Sequence, residues 1–139
     1  MKIFLYYIGK PRNAHANAMA KEYVQRVSHF ARCEMREIVP ARFDPFEKHP
    51  AAQCILLDPS GKVLNSQQLA AHFAKAEMAG RDMVFAIGGT DGLPEAWKPR
   101  ASLMLSLSAM TFPHELARVM LSEQIYRAFT ILRGHPYPR

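Results

Sequence analysis

Hydrophobic and polar residues change their spacing repeatedly along this 139-residue chain. Residues 3–8 form a continuous apolar run, which is typical of a strand buried on both faces of a parallel sheet. Residues 14–30 place apolar side chains such as Tyr23 and Val27 on one stripe and charged side chains opposite, which predicts an amphipathic helix. Strand and helix patterns then alternate to the end of the chain.

The remaining elements follow from the same patterns and from capping signals. Asn65 and Gln68 form a capping box at the start of a helix that Gly80 ends. Residues 58–61 are a turn signal that closes the third strand. We therefore predict strands over residues 33–39, 54–57, 83–87 and 102–108, helices over 65–80 and about 113–132, and a short turn or helix over 94–100.

The connection over residues 41–52 has the least regular pattern. Pro45 and Pro50 argue against a helix there, so we predict a taut or irregular crossover. Either this segment is a solvated loop, or it contacts RNA through its basic side chains, which are Arg42, Lys48 and His49.

The last predicted helix is apolar on more than one side, and a helix of that kind needs a second packing partner. Thr111 stands where it can cap this helix, and Pro113 suits its first turn. Glu123 and Arg127 have the spacing of a favourable ion pair on its polar face. The apolar residues are Leu116, Val119, Met120, Leu121, Ile125, Tyr126, Ala128 and Phe129.

Composition limits the class of protein. The length is typical of one domain, 1–139, and 49% of the residues are hydrophobic, enough for a core. No apolar run approaches the length of a membrane span, and the first strand lacks a signal-peptide cleavage site. Cys33 and Cys54 have no metal-binding spacing, so we expect reduced thiols in a cytoplasmic protein without a metal. The net charge of +6 favours a polyanionic partner.

The order of elements predicts an α/β fold with a mostly parallel sheet flanked by helices. Ligands of such sheets bind beyond the carboxyl ends of the strands, where residues 57–58, 88–92 and 107–112 leave the sheet. Gly88 and Gly89 allow a close approach of backbone to a ligand, or these glycines belong to a turn that needs a positive φ. Asp58 at its strand end is alternatively a phosphoacceptor or a turn cap.

Several short motifs carry a family resemblance. Residues 107–114 read LSAMTFPH, residues 123–128 read EQIYRA, residues 135–137 read HPY, and residues 87–92 read IGGTDG. With Arg118-Val119, Leu56-Leu-Asp58 and the first strand, they resemble the RlmH family, the large-subunit rRNA pseudouridine N3-methyltransferases of the SPOUT superfamily. The resemblance covers most of the chain and implies a C-terminal trefoil knot, a homodimer, S-adenosylmethionine as the cofactor, and 23S rRNA in the assembled ribosome as the substrate.

The resemblance also implies which residues act. The cofactor-binding positions are Leu57, Gly88, Gly89, Leu107, Ser108, Ala109, Met110, Thr111 and Phe112. The family's tail ends Tyr-His-Arg, whereas this chain ends Tyr137-Pro138-Arg139 and lacks that histidine. We expect Tyr137 to stack on a base and Arg139 to hold a phosphate, unless the tail is a solvated terminus. Either His135 or His114 stands in for the missing histidine, although His114 is also placed to cap the last helix.

Two alternatives to the methyltransferase stay open. One is a non-catalytic RNA-binding or ribosome-binding protein that keeps the SPOUT fold, which Pro138 and the short connection suggest. The other is a flavodoxin-like or receiver domain that uses Asp58, against which the positive net charge and the lack of an acidic cluster count.

Overall fold

A computed structural model describes residues 1–137 as five parallel strands with helices on both faces of the sheet. The strands are β1 (Ile3–Ile8), β2 (Cys33–Ile38), β3 (Gln53–Val63), β4 (Met83–Ile87) and β5 (Leu103–Ser106). The helices are α1 (Ala14–Val27), α2 (Pro45–Lys48), α3 (Ser66–Met78) and α4 (His114–Arg133), with a 3₁₀ helix at Glu95–Arg100. The predicted α/β class with a parallel sheet is therefore confirmed.

The strand order is β2-β1-β4-β3-β5, and all four pairings between neighbours are parallel. Flavodoxin-like and receiver domains use the order 2-1-3-4-5 instead. The receiver alternative is therefore wrong for this chain. The trefoil knot that the resemblance implies is not read from strand order and stays a prediction.

Two apolar layers enclose the sheet. On one face α1, α3 and α4 build the larger core, in which Phe73 packs against Phe85 and Phe129 with ring centroids 5.8 and 5.3 Å apart. On the other face the segment after β2 and the 3₁₀ helix cover a smaller cluster that contains Tyr6 and Trp97. Both faces of β4 are thus covered, which explains why all five of its residues are buried.

Helix α4 packs against both α1 and α3. This confirms the prediction that a helix with apolar residues on more than one side has a second packing partner. Glu123 and Arg127 form the expected pair at 2.7 Å. The predicted caps are wrong, since neither Thr111 nor His114 caps the helix: Pro113 occupies the N-cap position and makes no side-chain hydrogen bond. A proline there costs no hydrogen bond, because the first N–H groups of a helix lack intrahelical partners.

The connection after β2 differs from the prediction, because it contains the short helix α2. Pro45 opens this helix at a position where a proline is tolerated, and Asp44 caps it by accepting from the Phe46 N–H at 2.8 Å. His49 packs against Phe4, and its Nε2 lies 2.7 Å from the Tyr6 hydroxyl. This segment is therefore neither a solvated loop nor, at His49, a free RNA contact.

Strand β3 also differs, since it continues through the turn predicted at residues 58–61. Leu57 and Lys62 both align with Leu105 of β5, so the four residues between them bulge out of the ladder. Gly61 lies so close to β5 that a Cβ there would be 2.7 Å from the Met104 carbonyl carbon. The residues of the predicted turn therefore form a bulge within a longer strand and do not end the strand.

Candidate functional site

The three predicted loops meet at the carboxyl edge of the sheet, because β4, β3 and β5 are neighbours there. They enclose an open cavity of about 270 Å³. All the residues predicted to bind a cofactor line it except Ala109. The lining comprises Leu57, Asp58, Pro59, Ile87, Gly88, Gly89, Thr90, Gly92, Leu105, Ser106, Leu107, Ser108, Met110, Thr111, Phe112, His114 and Ala117.

The 88–92 loop is folded tightly on itself. The Gly92 N–H donates to the Gly89 carbonyl at 3.0 Å, and Gly92 has a φ of +75°. A Cβ on Gly88 would lie 2.4 Å from the carbonyl carbon of Gly92, and one on Gly89 would lie 2.9 Å from the Ile8 carbonyl oxygen. The positive φ therefore falls on Gly92, whereas Gly88 and Gly89 are required because backbone passes close to them.

The 107–112 loop presents backbone polar groups to its surroundings. Serine side chains fix its start: the Ser106 hydroxyl donates to the Ser108 carbonyl at 2.8 Å, and the Ser108 hydroxyl accepts from the Met110 N–H at 3.0 Å. Within residues 1–137, the N–H groups of Ala109, Thr111 and Phe112 make no hydrogen bond to protein. A ligand rich in hydrogen-bond acceptors can use such donors.

An ion pair that the sequence did not predict stands beside the cavity. The Lys98 ammonium on the 3₁₀ helix lies 3.1 Å from Asp58 Oδ2, and the same carboxylate accepts from the Ser60 hydroxyl at 2.6 Å. The hydrogen bonds from Ser60, followed by Lys98, hold the pKa of Asp58 below its ordinary value. Asp58 therefore ties the bulge of β3 to the segment after β4, and nothing in their sequence spacing signals this contact.

A buried cation stands at the same edge of the sheet. Arg118 of α4 is only 2% exposed, its guanidinium lies 4.0 Å from the centre of the Tyr7 ring, and Nη1 donates to Asn17 Oδ1 at 3.1 Å. Burial lowers the pKa of this guanidinium. Arg118 belongs to the quoted motifs, and here it joins α4 to β1 and α1.

Neither His135 nor Tyr137 lines this cavity, to which α4 contributes His114 and Ala117 from its beginning. Tyr137 folds back along α4 to Glu123, which lies nine residues, or about 14 Å of helix, beyond His114. Arg139 lies outside the described residues.

Tyr137 nevertheless has specific contacts with α4. Its hydroxyl donates to Glu123 Oε2 at 2.8 Å, and its ring packs edge-on against Tyr126 with centroids 4.7 Å apart. Burial, followed by the hydrogen bond to Glu123, raises the pKa of Tyr137. Tyr137 is therefore a protonated hydrogen-bond donor that anchors the tail, and this part of the tail is not a solvated terminus.

Comparison with known sequences gives a consistent family. Residues 1–138 match the family described as "Predicted SPOUT methyltransferase". The chain is 60% identical over 139 residues to the ribosomal RNA large subunit methyltransferase H of Solibacter usitatus, covering all of both chains. It is 37% identical over 139 residues to the protein of the same name from Coprothermobacter proteolyticus, covering 99% of each.

Solved structures share the fold at low sequence identity. A tRNA methyltransferase from Aquifex aeolicus superposes with a TM-score of 0.60 at 16% identity, over 100% of this chain and 75% of that one. The SpoU methyltransferase AviRb from Streptomyces viridochromogenes, solved in complex with the cofactor AdoMet, gives 0.53 at 11% identity, over 91% and 57%.

The Asp58–Lys98 contact predicts a pH-dependent contribution to stability. Because the pKa of Asp58 is lower in the folded chain than its ordinary value of 3.8, the carboxylate stabilises the fold above that pH, and the contribution is lost as the pH falls through the lowered pKa. Asp58→Asn should therefore reduce the free energy of unfolding at pH 7, by about 1 kcal/mol or less for a pair near the surface. Urea unfolding at several pH values measures this.

Asp91→Asn, which removes an exposed carboxylate from the neighbouring loop, is the matched control and should change little at any pH. The difference between wild type and Asp58→Asn should shrink as the pH falls below 3.8 through the lowered pKa of Asp58. A difference that stays the same from pH 7 to pH values below that pKa would contradict the assigned role of the charge.

Proposed function

The chain belongs to the SPOUT methyltransferase family, and from this premise we propose that it is an S-adenosylmethionine-dependent methyltransferase of large-subunit rRNA. Its target is N3 of a pseudouridine in 23S rRNA, and it acts as a homodimer on the ribosome. The observation that carries the proposal is the cavity formed by three strand-end loops, because it is lined by the positions that match the family's cofactor loops.

The cavity suits the proposed cofactor in its chemistry. Leu57, Ile87 and Leu105 supply apolar walls for the adenine ring, and Met110 and Phe112 stand at the exposed rim. The N–H groups of the 107–112 loop that lack protein partners can donate to the ring and to the amino-acid end of the ligand. The close approach of backbone at Gly88 and Gly89 fixes the fold of the 88–92 loop, which forms one wall of the cavity.

The protein's part in the reaction is alignment and exclusion of water. When bound, the sulfonium cofactor supplies an activated methyl group. The chain holds the cofactor in the cavity and presents the target nitrogen in line with it, which is the main requirement for such a transfer. The ring nitrogen must lose a proton, and Tyr137 is a poor base for this because its raised pKa keeps it protonated.

We assign the tail a positioning role. Tyr137 anchors it to Glu123, and His135 packs edge-on against Phe30. Arg139 holds a phosphate and His135 stands near the target base, where the family's histidine is replaced by Pro138.

We propose that a dimer brings the tail of one chain to the cavity of the other, since neither His135 nor Tyr137 lines the cavity of its own chain. An exposed apolar row continues from Phe112, just before α4, to Leu116 and Met120 on the helix; the three side chains are 37%, 44% and 40% exposed and spaced by four residues. Two-fold pairing of this row would set two α4 helices antiparallel, with the tail of one chain near the cavity of the other. The proposed active site is therefore composite.

A large-subunit rRNA methyltransferase works where ribosomes assemble, so we place it in the cytoplasm. Within residues 1–137, no helix combines the length and the apolar character that a membrane crossing requires. The same residues contain no group of three or more His, Cys, Asp or Glu side chains that could hold a metal ion. The net charge of +6 supports binding to a polyanion.

Cofactor binding is tested by a substitution that deforms one wall of the cavity. Gly88→Ala forces a Cβ against the backbone of Gly92, so the 88–92 loop must move and deform the cavity wall. In calorimetric titration with S-adenosylmethionine, we expect saturable binding by the wild type and at least tenfold weaker binding by this variant, about 1.4 kcal/mol or more.

Met78→Ala, at an exposed position on α3, is the control and should bind like the wild type. Circular dichroism must show that Gly88→Ala keeps its secondary structure. If the wild type fails to bind at millimolar cofactor, or if the variant binds equally well, the assigned cofactor site is wrong.

The composite site is tested by mixing two inactive chains. Gly88→Ala lacks the cofactor site, and a chain truncated after Gly134 lacks the tail, so each homodimer should be inactive. Random re-association of equal amounts makes half of the dimers mixed, and each mixed dimer has one intact site. We therefore expect roughly a quarter of wild-type methyl transfer to undermodified ribosomes.

Co-purification of the untagged truncated chain with affinity-tagged Gly88→Ala provides the reference for exchange between chains. A mixture as inactive as its components would show that each site is built within one chain. Ribosome binding by the wild type without any methyl transfer would favour the non-catalytic alternative.

A further inference from the structure

A small basic pocket lies outside the cavity described above. It has a volume of about 210 Å³ and is formed by the end of β3, the segment that follows it and the outer side of α3. Two lysines and a histidine dominate it, and no acidic side chain is among its walls. The lining residues are Lys62, Leu64, Gln68, Ala71, His72 and Lys75.

The positive charge in this pocket is not neutralised by the protein. In the part of the chain that the structure describes, Lys62, His72 and Lys75 form no ion pair, whereas Lys98 and Arg133 each contact a carboxylate. Burial and then the two lysines, Lys75 before Lys62, lower the pKa of His72, which places all three groups in one electrostatic environment. Like charges held together without a counter-charge make a ready site for an anion.

The bulge of β3 creates this arrangement. Lys62 is the first residue to rejoin the ladder opposite Leu105 after the bulge, so the break in register brings the end of β3 alongside α3. His72 and Lys75 are three residues apart on α3 and therefore share a face of that helix. A regular strand would give Lys62 a different register.

The basic pocket is connected to the proposed active site. It shares Leu64 with a groove, and that groove shares Leu105, Ser106, Leu107 and Phe112 with the cofactor cavity. Because Phe112 and Met120 of the groove belong to the apolar row of the proposed dimer, the basic pocket lies beside the composite site rather than on one uninterrupted surface. A nucleic acid with its target base in the cavity extends its backbone over neighbouring surface of this kind.

We propose that Lys62, His72 and Lys75 bind a backbone phosphate of the rRNA substrate. This inference rests on the proposed rRNA methyltransferase function and adds a substrate-docking site outside the cofactor cavity. The ammonium groups and the imidazole donate to the phosphate oxygens, and Gln68 adds an amide donor. The contact positions the ribosome without taking part in the transfer.

The test compares a double variant that lacks both pocket lysines with a control double variant that lacks two lysines elsewhere. Lys62→Ala with Lys75→Ala lowers the net charge by the same amount as Lys2→Ala with Lys21→Ala, whose lysines are exposed elsewhere. Sedimentation with undermodified large subunits gives affinity, and steady-state methyl transfer gives KM and kcat over a range of salt. Calorimetry gives the affinities for S-adenosylmethionine and for inorganic phosphate.

For the pocket variant we expect about tenfold weaker subunit binding, a similar rise in KM, and a salt dependence smaller by roughly 0.7 to 0.9 in logarithmic slope, as for one phosphate contact. Its kcat and its affinity for S-adenosylmethionine should equal those of the wild type, and the control pair should change KM by less than about twofold. Equal losses in both double variants, or no loss in either, would overturn the proposal.

Two further outcomes separate this inference from the function on which it rests. Loss of inorganic phosphate binding without any change in KM would mean that the pocket holds a free anion, which also overturns the rRNA contact. If the wild type binds subunits but transfers no methyl group, the proposed activity fails, while the subunit affinities of the two double variants still decide the docking site.

Discussion

The site depends on one constraint, which is that parallel strands deliver all their carboxyl ends to the same edge of a sheet. Because β3, β4 and β5 are neighbours, the loops that follow them meet without long excursions of the chain. The bulge in β3 and the tight glycine loop after β4 then set the depth of the cavity. The chemistry is therefore placed by strand order, and its details are set by local departures from regular strand geometry.

Helix α4 links the core to the tail and lies at the centre of the proposed dimer. Its buried side packs on α1 and α3, and its outer side keeps apolar side chains exposed. Neither His135 nor Tyr137 lines the cavity, because Tyr137 folds back along α4 only as far as Glu123. A second copy of the helix is therefore our proposed means of bringing a tail to each cavity.

The sequence was most informative where one local rule decides the structure. The run 83–87 is buried on both faces and became β4 with the predicted bounds, and the capping box at Asn65 starts α3 as predicted. One failure was local, because Pro45 argued against a helix that in fact begins with this proline and is capped by its neighbour Asp44. Other failures occurred where distant residues decide. The signal at residues 58–61 became a bulge because β5 pairs on either side of it, and the Asp58–Lys98 contact joins residues 40 positions apart that no spacing rule connects.

The most direct test of the account is the product of a single turnover. Purified protein is mixed with S-adenosylmethionine that carries an isotopically labelled methyl group and with large subunits or ribosomes that lack the modification, and the rRNA is then digested to nucleosides for mass spectrometry. The account predicts one labelled methyl group per particle, on N3 of a pseudouridine. A methyl group on another atom, or no transfer by protein that binds the cofactor, would contradict it.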